Sequence, residues 1–137
     1  MDKKEKSVFY GMKAENYFSS LLNKHGIPHE FTDDWFDFTV NKIHKVEVKS
    51  CQLCVKDGKA TKNHFRVGRF DFTKEKNREL QFEENVWVAF VLRNGNDFML
   101  VGLCRARVLN KNRYVALQHL RKLKIINFQD WLKKVNK

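Results

Sequence analysis

One proline and six glycines in 137 residues leave this chain short of the residues that punctuate linkers, and 42% hydrophobic content gives it material for a buried core rather than for disorder. A single domain over residues 1–137 is expected. Nowhere do eighteen apolar residues run together, so no helix crossing a membrane is expected. The opening MDKKEKSVFYG lacks the apolar stretch of a secretory signal, which points to an intracellular protein. Three cysteines, an odd number, do not suggest a disulfide framework. A glycine-rich phosphate loop, a nucleophile elbow, coiled-coil heptads and internal repeats are also missing, which removes the enzyme classes and arrays built on them.

Acidic residues are scarce in one part of the chain only. From Arg105 to Lys137 there are ten Lys or Arg against one acid, Asp130, whereas residues 1–104 carry seventeen bases and fifteen acids. The net charge of +11 is therefore concentrated in a basic C-terminal segment, about 105–137. A polyanion fits such an asymmetry, and nucleic acid is the commonest one inside cells. A charged surface kept for solubility is the competing explanation.

The stretch from Phe36 to Lys49, FDFTVNKIHKVEVK, carries the chemistry. Its alternation puts Phe36, Phe38 and Val40 on one side and Asp37 and Thr39 on the other; Val46 and Val48 then face inward while Glu47 and Lys49 share the opposite face. Asn41-Lys42-Ile43-His44 between the arms supplies a turn, so an antiparallel hairpin should bring Asp37 near the strand of Glu47. Strand side chains two apart stand roughly 7 Å from each other, close enough for Lys49 to reach a phosphate or water held by a metal on Glu47. Magnesium asks for one or two carboxylates plus water and phosphate oxygens, which Asp37 and Glu47 can supply. Taken alone, Glu-x-Lys also describes an ordinary solvated strand face. Asp33 and Asp34 are alternative ligands, ranked behind Asp37 because turn aspartates usually cap local backbone.

A third acid stands on a predicted helix from about Ser7, as N-cap, to His25, with Gly26-Ile27-Pro28 ending it. Tyr10, Ala14, Tyr17, Phe18, Leu21 and Leu22 make its apolar face, and Glu15 lies on the border of that face. From there a carboxylate can point toward the hairpin. An ordinary surface glutamate is the other reading.

Glu15 on a helix, Asp37 on a strand and Glu47-Val48-Lys49 on the next strand together resemble the PD-(D/E)xK nuclease superfamily, and within it most closely the archaeal Holliday-junction resolvases. The resemblance covers roughly residues 7–104, and Phe36 stands where the motif's proline would precede the aspartate. It implies an α/β fold with the αβββαβ core of restriction endonucleases, a central mixed sheet flanked by helices. It also implies catalytic roles for Glu15, Asp37, Glu47 and Lys49, metal binding by Asp37 and Glu47, Mg²⁺ with Mn²⁺ as a substitute, and a homodimer cutting branched DNA in recombination.

The remaining elements suit that order. Pro28 to Phe31 reads as a short strand. Cys51 shares the Glu47 face, near where the strand should end, while Ser50 and Gln52 point away, Gln52 able to touch substrate from a loop. Cys51-x-x-Cys54 has no second pair, and zinc would have to recruit His44 or His64. Val55 to His64 is a polar, basic, mobile loop beside the site. Phe65 to Phe70 is extended, offering Arg66 and Arg69 to phosphates. Asp71 or Thr73 is expected to cap a second helix reaching about Phe82. Val86 to Leu92, VWVAFVL, suits a central strand buried on both faces, and an Asn-Gly turn returns the chain through FMLVGLC, Phe98 to Cys104, in which Cys104 is a small core residue. Tyr114 to Leu123 is helical or extended, and Asn127 with Asp130 three residues on opens a terminal helix. Arg105, Arg107, Lys111 and Arg113, with Arg121, Lys122 and Lys124, are the candidates for duplex-backbone contact, and apolar residues of this tail for a dimer interface.

The sequence is thus read as a magnesium-dependent endodeoxyribonuclease, cytoplasmic or nucleoid-associated, with a Holliday-junction resolvase as its leading form. A restriction- or repair-type nuclease on linear or damaged duplex is the alternative. A non-catalytic basic nucleic-acid-binding module, or an interaction protein docking an acidic partner, stands as the reading of another class.

Overall fold

The fold is described from a computed structural model, over residues 2–32, 36–56, 65–72, 83–109 and 114–136. Helix α1 runs Lys3–Lys24. It starts a turn earlier than Ser7 because Asp2 is the cap: its side chain accepts from the Glu5 backbone N–H at 2.8 Å, satisfying one of the helix's open donors. Ala14, Phe18 and Leu22 form its buried stripe, spaced four apart as a helix face requires.

Three strands follow in order, β1 (His29–Phe31), β2 (Phe38–Val40) and β3 (His44–Gln52). The β2–β3 hairpin is antiparallel, with Phe38 opposite Val46 and Val40 opposite His44. Asn41 and Lys42 both have positive φ, 50° and 67°, and Ile43 N–H bonds back to the Val40 carbonyl, the geometry of a type I′ turn. Strand β3 runs past Cys51 to Gln52, longer than its sequence suggests, because β7 (Val86–Asn94) pairs with it in parallel along its length, Lys45 opposite Val86 through Gln52 opposite Arg93. Antiparallel β8 (Asp97–Arg105) follows the Asn-Gly turn, and the sheet reads β1-β2-β3-β7-β8. This is the mixed sheet of the restriction-endonuclease-like fold. Two small ribbons complete the described strands: β4 (Cys54–Lys56) with β5 (Phe65–Val67), and β6 (Arg69–Asp71) with β9 (Tyr114–Ala116).

Strand β7 is buried on both faces, and its alternation sorts the core into two. Trp87, Ala89 and Val91 face α1 and the terminal helix α2 (Phe128–Val135), joining Phe18, Leu22, Phe38, Val46 and Val48. Val86, Val88 and Phe90 face the other way, onto Phe70, Phe72, Leu109, Val115 and Leu120. Phe36 belongs to this second core, contrary to its alternation with Phe38, because residues 36–37 form a bend ahead of β2 and the period of two breaks there. Asp37 consequently precedes β2 instead of lying within it.

Other expectations shift for local reasons. Asp71 ends strand β6, paired with Tyr114; the helix expected to begin at Asp71 or Thr73 and reach about Phe82 lies, over residues 73–82, outside the described residues, as do residues 57–64 of the basic loop. Tyr114 to Leu123 divides into β9 and a 3₁₀ helix, Leu117–Lys122. Asn127 caps α2 as its sequence predicts, accepting from the Asp130 N–H at 2.8 Å. The apolar residues of that tail divide, with Tyr114 exposed and those of α2 in the core. Trp131, Leu132 and Val135 are buried in the first core, Trp131 against Phe18, Trp87 and Phe128.

Candidate active site

In β3 the alternation that buries Val46 and Val48 under the helices sends Lys45, Glu47 and Lys49 to the opposite face. There Glu47 lies beside Val88 of β7 and Lys49 beside Phe90. Glu47 is 4% exposed, the single buried charged residue among those described. Removing a carboxylate from water costs several kcal/mol, about the scale of a whole domain's margin, unless a positive charge or ion stands against it. Lys49 supplies such a charge, its Nζ 3.8 Å from Glu47 Oε1. The ammonium also lies 5.4 Å from the centre of the Phe72 ring, which walls the site on the side of β6.

Asp37 is held by three hydrogen bonds at the point where β2 stops pairing with β3. Its backbone N–H donates to the Val46 carbonyl at 3.0 Å and its carbonyl accepts from Thr32 N–H at 2.8 Å. Its Oδ2 accepts from Val48 N–H at 2.7 Å. The carboxylate thus takes the place of a missing strand partner, between the two residues that carry Glu47 and Lys49. Continuing the register beyond Phe38–Val46 sets Asp37 across from Glu47. The structure therefore brings Asp37, Glu47 and Lys49 together on one end of the hairpin.

Two hard oxygen donors suit Mg²⁺ or Mn²⁺, which keep several waters and take few protein ligands. No cluster of three or more His, Cys, Asp or Glu able to hold a metal occurs among the described residues, so a closed zinc site is not formed there. The cysteines agree. Burial pushes the Cys51 thiol up to about 11, so it stays protonated near neutrality, while Cys54 is exposed.

The other sequence candidates are distributed around this centre. Glu15 is half-buried on α1, next to Ala14, and α1 packs on the face of β3 away from Glu47. Arg69 is exposed on β6, its guanidinium 4.2 Å from the centre of the Tyr114 ring. Arg105 stacks on Trp87 at 4.6 Å and donates to the Glu84 carbonyl at 2.8 Å. Trp87 faces the helices, so Arg105 works on the side of the sheet opposite Glu47. Arg107 is exposed on a 3₁₀ helix, Ala106–Leu109. Arg66 is in β5; Asp33, Asp34, His64, Lys111 and Arg113 lie outside the described residues.

Sequence reasoning missed a cationic groove on the helix side of the sheet, at the ends of β3 and β7. Lys3, Lys6 and Tyr10 of α1 face Ser50 and Gln52 of β3 and Arg93 of β7 across a cavity of about 300 Å³. The signal was present but split among residues 3, 6 and 93, and nothing in the local pattern links them.

Strands that present acid, acid and lysine in this arrangement define the PD-(D/E)xK nucleases, and the family model described as PD-(D/E)XK nuclease superfamily domain matches residues 1–124. The chain belongs to this superfamily, whose members are generally metal-dependent nucleases that hydrolyse phosphodiester bonds. Comparison with curated proteins and with solved structures finds no match. The matched span is wider than the roughly 7–104 suggested by the motif and includes the first turn of α1; helix α2 falls beyond it.

Proposed function

We propose that this protein is a magnesium-dependent endonuclease that cuts DNA, acting as a homodimer on branched DNA such as a four-way junction. The observation that carries the chemistry is the buried Glu47 with Lys49 beside it and Asp37 pinned across from it on Val48 N–H. Junction preference and dimerisation rest on the resemblance of the Glu15, Asp37 and Glu47-Val48-Lys49 pattern to the archaeal resolvases.

Asp37 and Glu47 are the residues that would hold the ion. When bound, Mg²⁺, or Mn²⁺ in its place, activates water for attack and offsets the charge that develops on the phosphate. Around it the chain supplies position and electrostatics. The Val48 N–H fixes the Asp37 carboxylate, so its orientation costs nothing when substrate arrives. Lys49 keeps a positive charge over the Glu47 face, oriented toward the phosphate and the attacking water. Phe72 and Val88 keep that face dry enough for the charge to act strongly. Glu15, on the helix that packs against the face of β3 opposite Glu47, is assigned no part in holding the ion.

The test compares a labelled four-way junction with a matched linear duplex, each with Mg²⁺ or EDTA, for wild type and Glu47→Ala. Paired symmetric nicks in the junction alone, lost with EDTA and in the variant, are expected. Cleavage of both substrates would leave a restriction- or repair-type nuclease, and binding with no metal-dependent cut would leave a basic binding module.

A further inference from the structure

The groove between the first turns of α1 and the ends of β3 and β7 has a composition that chooses its ligand. It holds three cations, Lys3, Lys6 and Arg93, and no carboxylate among its lining residues. Another cavity of similar size, at Pro28 and Thr39, has both Glu30 and Lys42 in its lining and has no such bias. Lys3, Lys6 and Arg93 enter none of the salt bridges among the described residues. The Arg93 guanidinium lies over the Tyr10 ring, 3.6 Å from its centre, and spends one donor on the Gly95 carbonyl at 3.0 Å. A guanidinium carries five N–H donors, so stacking fixes its plane while leaving donors for an anion. Asp2 occupies the end of α1, so the groove's charge comes from side chains and not from the helix terminus.

Its position gives the second part of the argument. Ser50 and Gln52 share the helix-side face of β3 with Val46 and Val48, so the groove opens on the face of the sheet opposite Glu47 and Lys49, and the two faces meet around the strand ends at Gln52 and Arg93. A nucleic-acid strand leaving the Glu47 and Lys49 face around the end of the sheet, at Gln52 and Arg93, enters this groove, where Ser50 and Gln52 are neutral hydrogen-bonding partners.

We infer that this groove is a phosphate subsite for the substrate strand, gripping a phosphodiester away from the cleaved bond, beyond the end of the sheet, through Lys3, Lys6 and the Tyr10-stacked Arg93. The inference rests on the nuclease reading above and adds to it the path of the strand. The strand crosses the end of the sheet toward the start of α1, a region that the basic C-terminal segment does not mark.

The experiment measures duplex affinity against salt in the Glu47→Gln protein with EDTA, with and without the added pair Lys6→Ala and Arg93→Gln. Removing one cation from a phosphate should lower the slope of log K against log[salt] by about one, so the pair should lower it by about two and weaken binding at least about tenfold at moderate salt. A matched pair, Lys133→Ala and Lys134→Ala on exposed positions of α2, removes the same charge elsewhere. An unchanged slope in the groove variant, or an equal fall in the α2 variant, overturns the subsite. Should the pair not fold, exposed Lys6→Ala alone carries the test, with an expected slope change of about one. Duplexes with and without 5′-phosphates identify the source: equal loss on both assigns an internal phosphodiester as inferred, and loss confined to the phosphorylated ends replaces it with a terminal phosphate and overturns the path. Wild-type cleavage with Mg²⁺, run in parallel, judges the nuclease reading separately, because the binding slopes need no cleavage.

Discussion

Asp37 does two jobs through one carboxylate, and two substitutions separate them. Asp37→Asn keeps an oxygen to accept from Val48 N–H, whereas Asp37→Ala leaves that half-buried N–H without it. Both should lower metal-dependent cleavage by at least about 10²-fold. Only Asp37→Ala should also lose stability, about 1–3 kcal/mol by denaturant titration; equal stabilities would show that the bond contributes nothing to the fold. The thiols offer a second check at this scale. Burial raises Cys51 to about 11 and Cys104 to about 12 from the ordinary 9.0. A raised folded pKa means the native state holds the proton longer than the unfolded chain. Stability from this source is full below pH 9 and is lost as pH rises through 11 and 12. At pH 8 an alkylating reagent should modify exposed Cys54 first, with Cys51 and Cys104 reacting at comparable rates only in denaturant.

Among the elements, β3 depends on a close crossing. A Cβ on Gly68 would overlap the backbone carbonyl of Gln52, so the link between β5 and β6 can pass over the end of β3 only as glycine. Gly68→Ala should push the ribbon off β3, costing about 1–3 kcal/mol, and loosen the Phe72 wall beside Lys49. Thermal unfolding checks the first effect, and a fall in the rate of cleavage larger than the loss of folded protein checks the second. Helix α2 rests on its cap in a more ordinary way. Asn127→Ala removes the acceptor for Asp130 N–H and should cost about 0.5–2 kcal/mol.

For the whole molecule, α2 is the piece that closes the first core although the family match ends at residue 124. Trp131 is fully buried, and its indole N–H finds no acceptor among the described residues. Trp131→Ala should therefore unfold the protein more readily by about 3–5 kcal/mol. Trp131→Phe should cost less, because it removes an uncompensated buried donor along with part of the volume. Equal losses in urea titrations would contradict that account. The same burial means the charges of the C-terminal segment sit on a fixed platform: Lys133 and Lys134 are exposed on the outer side of a helix whose other side is core.

Local rules carried much of this protein's design into its sequence. Alternation in VEVK put Glu47 and Lys49 on one face, the continuous VWVAFVL run marked the doubly buried strand, Asn-Gly marked the β7–β8 turn, and Asn127 marked the start of α2. Each depends on neighbours within a few residues, which a single chain displays. Tertiary structure decided the rest. The bend at Phe36 and Asp37 reversed the side to which Phe36 points, because a second core waits on that face of the sheet. Pairing with β7 extended β3 to Gln52, which aligns Ser50 with Lys6 and Arg93 in one groove. Parallel pairing and groove walls join residues more than forty positions apart, and no periodicity in the sequence records which distant residues will share a face.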